Sequence, residues 1–237
     1  MKMKSIIYSV AAASIAMMGF DAMACTNLLA GKNATIDGSV LISYAADSHT
    51  LYGDLQYLPA ADHKPGDMRE IREWDTGKHL GNIPEVAHTY AVVGNINEHQ
   101  VTVAESTFGG RHELADTTKD AIIDYGSLIY LALQRSRTAR EAIKVMTDLV
   151  AKYGYCSEGE SFSIGDPNEL WVMEMIGKGG KEKGAVWVAI RIPDDCISAH
   201  ANQSRIYRIP LKDKQNCMYS KDVISFASKM GYLSGKD

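Results

Sequence analysis

The stretch "CTNLLAGKNATIDGSVLISYAADSH", residues 25–49, decides how the rest of the chain is read. Its first run, "TNLLAG" (26–31), is short, apolar and ends at a glycine. "KNATIDG" follows, and Asn, Asp and Gly are the residues that accept turn conformations. "SVLISYAA" (39–46) is a second apolar run. Two such runs around a polar turn predict an antiparallel β-hairpin. Cys25 then stands just before the first strand, and Asp47 sits at the far end of the returning one.

The residues upstream differ from the rest of the chain. "MKMK" is basic, "SIIYSVAAASIAMMGF" is apolar, and Ala22 and Ala24 occupy positions −3 and −1 relative to Cys25. A charged start, an apolar middle and an A-x-A site make a secretory signal peptide, 1–24, cut after Ala24. The apolar run is too short for a convincing membrane span. The expected organisation is therefore a signal followed by one domain, 25–237, of an exported, periplasmic or extracellular protein. No membrane association is expected unless Cys25 is lipidated, the competing reading of a small residue before a cysteine.

Downstream, "DLQYLPA" (54–60), "EIREWD" (70–75) and the two halves of 89–107 around "NINEHQ" predict further strands. The period then changes. Ile122, Tyr125, Ile129 and Leu133 have the spacing of an amphipathic helix over 117–136, with Thr117 or Thr118 as cap. A second helix, 138–154, has Thr138 three residues before Glu141, a capping-box pattern, and Gly154 as its stop. Strands resume at 160–166, 170–177, 185–193 and 196–203, the first two joined by a "DPNE" turn, and a helix is predicted over 220–233. Hairpins between neighbours imply antiparallel sheets, and helices grouped apart from strands imply an α+β domain.

The composition excludes several functions. The chain has 237 residues, is 46% hydrophobic and has a net charge of −4, so no basic surface invites nucleic acid. Neither G-x-G-x-x-G, a Walker sequence nor G-x-S-x-G is present. Without C-x-x-C spacing no zinc site is expected. Setting Cys25 aside leaves Cys156, Cys196 and Cys217, an odd number that admits one bridge. His200, between Ala199 and Ala201, reads as a hydrogen-bonded core histidine rather than a base.

Cys25 stands out by position. Cutting after Ala24 would give it a free α-amine, whose ordinary pKa of about 7.7–8.0 lies well below that of lysine. Such an amine is partly neutral near pH 7 and can activate its own side chain as a nucleophile. Direct transfer within one residue is geometrically poor, so a water or an ion pair is expected to mediate it.

The quoted stretch, together with "NINEHQVTVAEST", "YCSEGESFSIGDPNELWVMEMIG" and "ISAHANQSRI", resembles the N-terminal-nucleophile cysteine dipeptidases of the dipeptidase A type. These are similar to the bile-salt hydrolase and penicillin V acylase group. The resemblance spans essentially all of 25–237 and implies a four-layer αββα sandwich of antiparallel sheets. It also implies a longer C-terminus, so the chain is expected to be the N-terminal part of the domain. It implies hydrolysis of dipeptides, with no cofactor or metal, and with acyl-amides as the alternative substrates. Cys25 matches the nucleophile, Asp47 the carboxylate that holds its amine, Asn97 an oxyanion donor, and Asn202 a second asparagine beside the nucleophile. For a dipeptidase, Glu158, Glu160 and Glu174 are candidates to meet the substrate ammonium, and Arg205 its carboxylate. One position departs from the pattern. Relatives usually carry arginine three residues before that aspartate, where this chain has Tyr44. Tyrosine donates a hydrogen bond but brings no positive charge to a thiolate.

Overall fold

The predicted hairpin is present in the computed structural model, which describes residues 25–47, 53–115, 120–180 and 182–233. Strand β1 (Cys25–Ala30) pairs antiparallel with β2 (Leu41–Ala46), from Cys25↔Ala46 to Ala30↔Leu41. In the connecting turn, Asp37 accepts hydrogen bonds from the backbone N–H and hydroxyl of Ser39. The signal-peptide reading falls on 1–24, outside the described residues.

Short strands follow: β3 (Tyr57–Leu58), β4 (Ala61–Asp62), β5 (Met68–Arg72), β6 (His79–Pro84), β7 (His88–Thr89), β8 (Val92–Val93) and β9 (Ile96–Asn97). The 54–60 strand is thus shorter than expected, and the 70–75 strand lies a few residues earlier. Then come β10 (Thr102–Gly109), helices α1 (His112–Ala115), α2 (Tyr125–Arg135) and α3 (Ala139–Tyr153), and strands β11 (Gly159–Gly165), β12 (Leu170–Gly177), β13 (Ala185–Ile192), β14 (Ile197–His200) and β15 (Cys217–Tyr219). Helix α4 (Val223–Lys229) ends the series.

Helix α2 begins at Tyr125, later than the apolar spacing predicts, and Asp124 caps it. The proposed caps Thr117 and Thr118 lie outside the described residues. The backbone explains the late start. Ile122 and Ile123 donate their N–H groups to the carbonyls of Tyr153 and Gly154, so they extend an irregular strand instead of a helix. Gly126 is required in the first turn, because a Cβ there would fall 2.3 Å from that of Trp74. Helix α3 starts and stops where expected. The Thr138 hydroxyl accepts from the Glu141 N–H, Glu141 accepts from the Arg137 N–H, and Gly154 takes φ +78°. In the "DPNE" turn, Asp166 accepts from the N–H groups of Asn168 and Glu169 and also of Ala139, pinning α3 to the sheet.

Strand alternation sorts side chains to the two faces of an eight-stranded sheet, ordered β15-β13-β12-β11-β10-β9-β8-β3. Val103, Phe162, Ile164, Trp171, Met173 and Ala189 pack with Leu128 and Leu133 of α2 and Ile143 and Met146 of α3. Each of the Val, Leu, Ile, Phe and Met side chains among them contributes roughly 1.5–3 kcal/mol on burial. On the opposite face, Leu170 and Val172 meet Leu29 and Ile42 of a three-stranded sheet, β14-β1-β2, and Val40 just before β2. Phe226 of α4 covers Ile176 and Val186 farther along that face. The molecule is a layered α+β sandwich of antiparallel sheets. Of the four expected layers, the described residues supply helix, sheet and sheet. The far side of the small sheet exposes Leu28, Leu41 and Ile197 among the described residues. All four cysteines are unbridged.

Candidate active site

Register places Cys25 between the two sheets. In the β1–β14 ladder Asn27 lies opposite His200 and Leu28 opposite Ala199. Continuing that ladder by two residues sets Asn202 opposite Cys25. Alternation puts Cys25 on the same face as Asn27 and Leu29, and Leu29 is in the core between the sheets.

The free edge of β10 clamps this corner. The Asn27 side chain donates to the Glu105 carbonyl at 2.6 Å. The Ser106 hydroxyl donates to the Cys25 carbonyl at 3.3 Å and accepts from the Asn202 N–H at 2.8 Å. Asn202 adopts φ +47°, a left-handed conformation that asparagine tolerates better than most residues. From there its Nδ2 donates to the Thr107 carbonyl at 2.6 Å, and its Oδ1 accepts from the Cys25 nitrogen at 2.7 Å.

The thiol faces carboxyl groups. Cys25 Sγ lies 3.4 Å from Glu105 Oε1, and the Tyr44 hydroxyl donates to the same oxygen at 2.6 Å. Glu160 stands behind on β11, opposite Thr107, whose hydroxyl donates to it at 2.9 Å. Both glutamates are buried. Burial first, and then the charge of Glu105, push the Cys25 thiol up to about 12, with the Asp47 backbone N–H acting in the opposite direction. Burial, and after it Glu105, also raise the Tyr44 hydroxyl. Burial raises Glu160 well above the usual carboxyl range, and the neighbouring Glu105 adds to it.

The other predicted residues divide. Asp47 follows the end of β2 with an exposed side chain, and the Cys25 nitrogen goes to Asn202, not to its carboxylate. Asn97 is not in this cluster. Its two amide hydrogens go to the carbonyls of Leu133 and Ser136, at 2.7 and 2.8 Å. Its Oδ1 accepts from the N–H groups of His99 and Val101. All of its hydrogen-bonding capacity ties the β9–β10 turn to the end of α2, leaving no donor for an oxyanion. Glu174 accepts from the N–H groups of Arg205 and Ile206 and so fixes the segment after Asn202. Arg205 is exposed, and its charge acts on Glu174 and His200. Glu158 is exposed, and its carbonyl accepts from the Tyr155 hydroxyl. His200 is buried against the Ser163 hydroxyl at 3.3 Å, as its apolar flanks suggest, and burial lowers its pKa.

Glu105 and Ser106 are site residues that the sequence reading passed over. Glu105 has the strand parity of the buried Val101 and Val103, and an acid on a core-facing parity is a signal visible in "VTVAEST". A cavity of about 590 Å³ lined by His63, Arg69, Glu85 and Gln134 lies apart from this cluster. Among the described residues no group of three or more His, Cys, Asp or Glu side chains could hold a metal ion. No helix among them is long and apolar enough to cross a membrane.

A layered α+β sandwich with a cysteine heading a central strand and an asparagine on its nitrogen defines a cysteine-centred site. Residues 24–63 and 56–237 match Peptidase family C69, and the chain belongs to that family. It is 33% identical over 227 residues to a "Probable dipeptidase" of Latilactobacillus sakei, covering 86% of this chain and 45% of that protein. A "Probable dipeptidase" of Salmonella dublin is 27% identical, covering 88% of this chain and 50% of its own length. A "Probable dipeptidase A" of Streptococcus pyogenes serotype M3 is 28% identical, covering 86% and 45%. The chain spans about half the length of these curated relatives.

Proposed function

We propose that this chain supplies the nucleophilic part of an exported cysteine dipeptidase. The observation that carries the reading is the position of Cys25. It opens β1 directly after an A-x-A sequence, with its nitrogen on Asn202 Oδ1 and its thiol inside a polar corner. Removal of 1–24 turns that nitrogen into an α-amine in a site that already orients it. The sulfur attacks the scissile carbonyl, the amine protonates the leaving nitrogen, and water hydrolyses the thioester. Asn202 anchors the amine, and Ser106 supports both Asn202 and the Cys25 carbonyl. Arg205, exposed just beyond Asn202, is proposed to meet the substrate carboxylate. The dipeptidase names of the relatives support dipeptides as the substrate class.

The test is to express the full chain, measure the mass of the product, and assay a dipeptide panel beside acyl-amides. The expected product begins at a free Cys25 and cleaves dipeptides, and Cys25→Ala abolishes turnover. A diacylglyceryl adduct on Cys25, turnover of acyl-amides alone, or full activity in Cys25→Ala each overturns the reading.

A further inference from the structure

Two buried carboxyl groups beside a thiol call for a chemical account. Glu105 Oε2 and Glu160 Oε1 are both fully buried and find no N–H or O–H donor among the described residues. The two side chains nevertheless share one face of neighbouring strands, Glu160 opposite Thr107 and Glu105 two residues along, so each carboxyl feels the other's charge. Two buried, ionised carboxylates side by side repel each other, and neither has a hydrogen to give the other. A single proton held between them removes the repulsion and supplies the missing donor. Glu160 is the group that keeps it, because Glu105 already takes two donors, the Tyr44 hydroxyl and the Cys25 thiol, while Glu160 takes one, the Thr107 hydroxyl. Glu105 is then the carboxylate: its Oε1 accepts from the Tyr44 hydroxyl at 2.6 Å and from the Cys25 thiol at 3.4 Å, and its Oε2 is left for the proton held with Glu160. The groups facing it are Cys25 from β1, Tyr44 from β2, Glu160 from β11 and, by its charge effect, Tyr125 from α2.

We infer that Glu105 is a catalytic residue, the acceptor of the Cys25 thiol proton. The inference rests on Cys25 being the nucleophile. It supplies the mediator that transfer within a single residue lacks, and it works with tyrosine, not arginine, at position 44. The thiol proton moves to Glu105 Oε1 as sulfur bonds to the scissile carbon. The Cys25 ammonium gives one proton to the leaving nitrogen as the C–N bond breaks, and Glu105 then passes the thiol proton to the Cys25 amine, restoring the ammonium. In the second half, water gives its proton to Glu105 as oxygen bonds to the thioester carbon. That proton returns to sulfur when the C–S bond breaks. No proton is gained or lost over the cycle. Tyr44 and Glu160 are positioning residues, because they act through Glu105.

The inference predicts two effects of opposite direction from one substitution. In Glu105→Gln, removal of the neighbouring anion makes the thiol easier to ionise, so iodoacetamide labels Cys25 faster at pH 7.5. Labelling is followed by mass on the N-terminal peptide, which separates Cys25 from Cys156, Cys196 and Cys217. Removal of the proton acceptor lowers kcat, by about a hundredfold or more. Faster labelling with undiminished kcat would show Glu105 to be only a brake on the thiol and would overturn the inference. A raised KM with unchanged kcat would also overturn it, assigning the pair to the substrate ammonium. If Glu105→Gln does not fold, as judged by circular dichroism, Glu105→Asp is read instead. It retains a carboxylate but withdraws it from sulfur, so a reduced kcat is expected and a wild-type kcat overturns the inference. Full activity in Cys25→Ala would mark the failure of the nucleophile reading itself.

Discussion

The Tyr44 hydroxyl and the Cys25 thiol converge on a single oxygen, Glu105 Oε1, at 2.6 and 3.4 Å. Tyrosine therefore stabilises the carboxylate without supplying the cation that would favour a thiolate. Tyr44→Arg should place a guanidinium against Glu105 and beside the sulfur. An opposite charge within about 4–6 Å moves a titrating group by roughly 1–3 pH units toward its charged form. The thiol, held up to about 12, should fall by that order. The check is the rate of Cys25 alkylation across pH 6–10, in which the variant's midpoint moves down; an unmoved midpoint means the arginine is directed elsewhere.

Asn202 combines a left-handed backbone with two side-chain hydrogen bonds, to the Cys25 nitrogen and the Thr107 carbonyl. Asn202→Gly keeps the backbone relaxed and loses both bonds. Asn202→Ala loses the bonds and adds left-handed strain of roughly 1–2 kcal/mol. Each lost bond to a part-buried group costs about 1 kcal/mol. Denaturant melts should rank wild type above Asn202→Gly above Asn202→Ala, while both variants lose turnover because the amine is no longer held. Equal melts for the two variants would show that φ +47° stores no strain.

How much was legible follows from which forces are local. The β1–β2 hairpin, the α3 caps and the "DPNE" turn depend on neighbours in sequence, and they form as read. The start of α2 was not legible, because Ile122 and Ile123 trade helical bonds for the carbonyls of Tyr153 and Gly154, some 30 residues away. In the site, Cys25 and Asn202 come together through a ladder whose register the sequence only hints at. In the sequence Asn97 offers itself as a donor to an oxyanion, because a turn asparagine has free amide hydrogens until tertiary contacts claim them. Here Leu133 and Ser136 claim both.

That assignment of Asn97 is testable. Asn97→Ala leaves two carbonyls and two N–H groups without their partner, inside a residue only 5% exposed. Unsatisfied buried groups cost about 1–3 kcal/mol each, partly relieved by water, so a loss on the order of 3 kcal/mol is expected. Urea unfolding should show it as a lower midpoint at unchanged slope. Turnover per folded molecule should fall by less than tenfold. A hundredfold loss of kcat with a wild-type melt would instead restore Asn97 to the oxyanion.

The proton on Glu160 ties stability to pH with a definite sign. Burial and Glu105 raise its pKa in the folded state above the ordinary value of 4.5, so the folded chain binds a proton that the unfolded chain has released. Stability from this group is fully present below pH 4.5 and declines as pH rises from there through the folded-state pKa. Glu160→Gln keeps an N–H to donate to Glu105 and has nothing to titrate. The difference in melting temperature, variant minus wild type, should therefore grow more positive as pH rises from 5 to 8. A constant difference over that range would mean that Glu160 is ionised in the folded chain and that no proton lies between the two carboxyls.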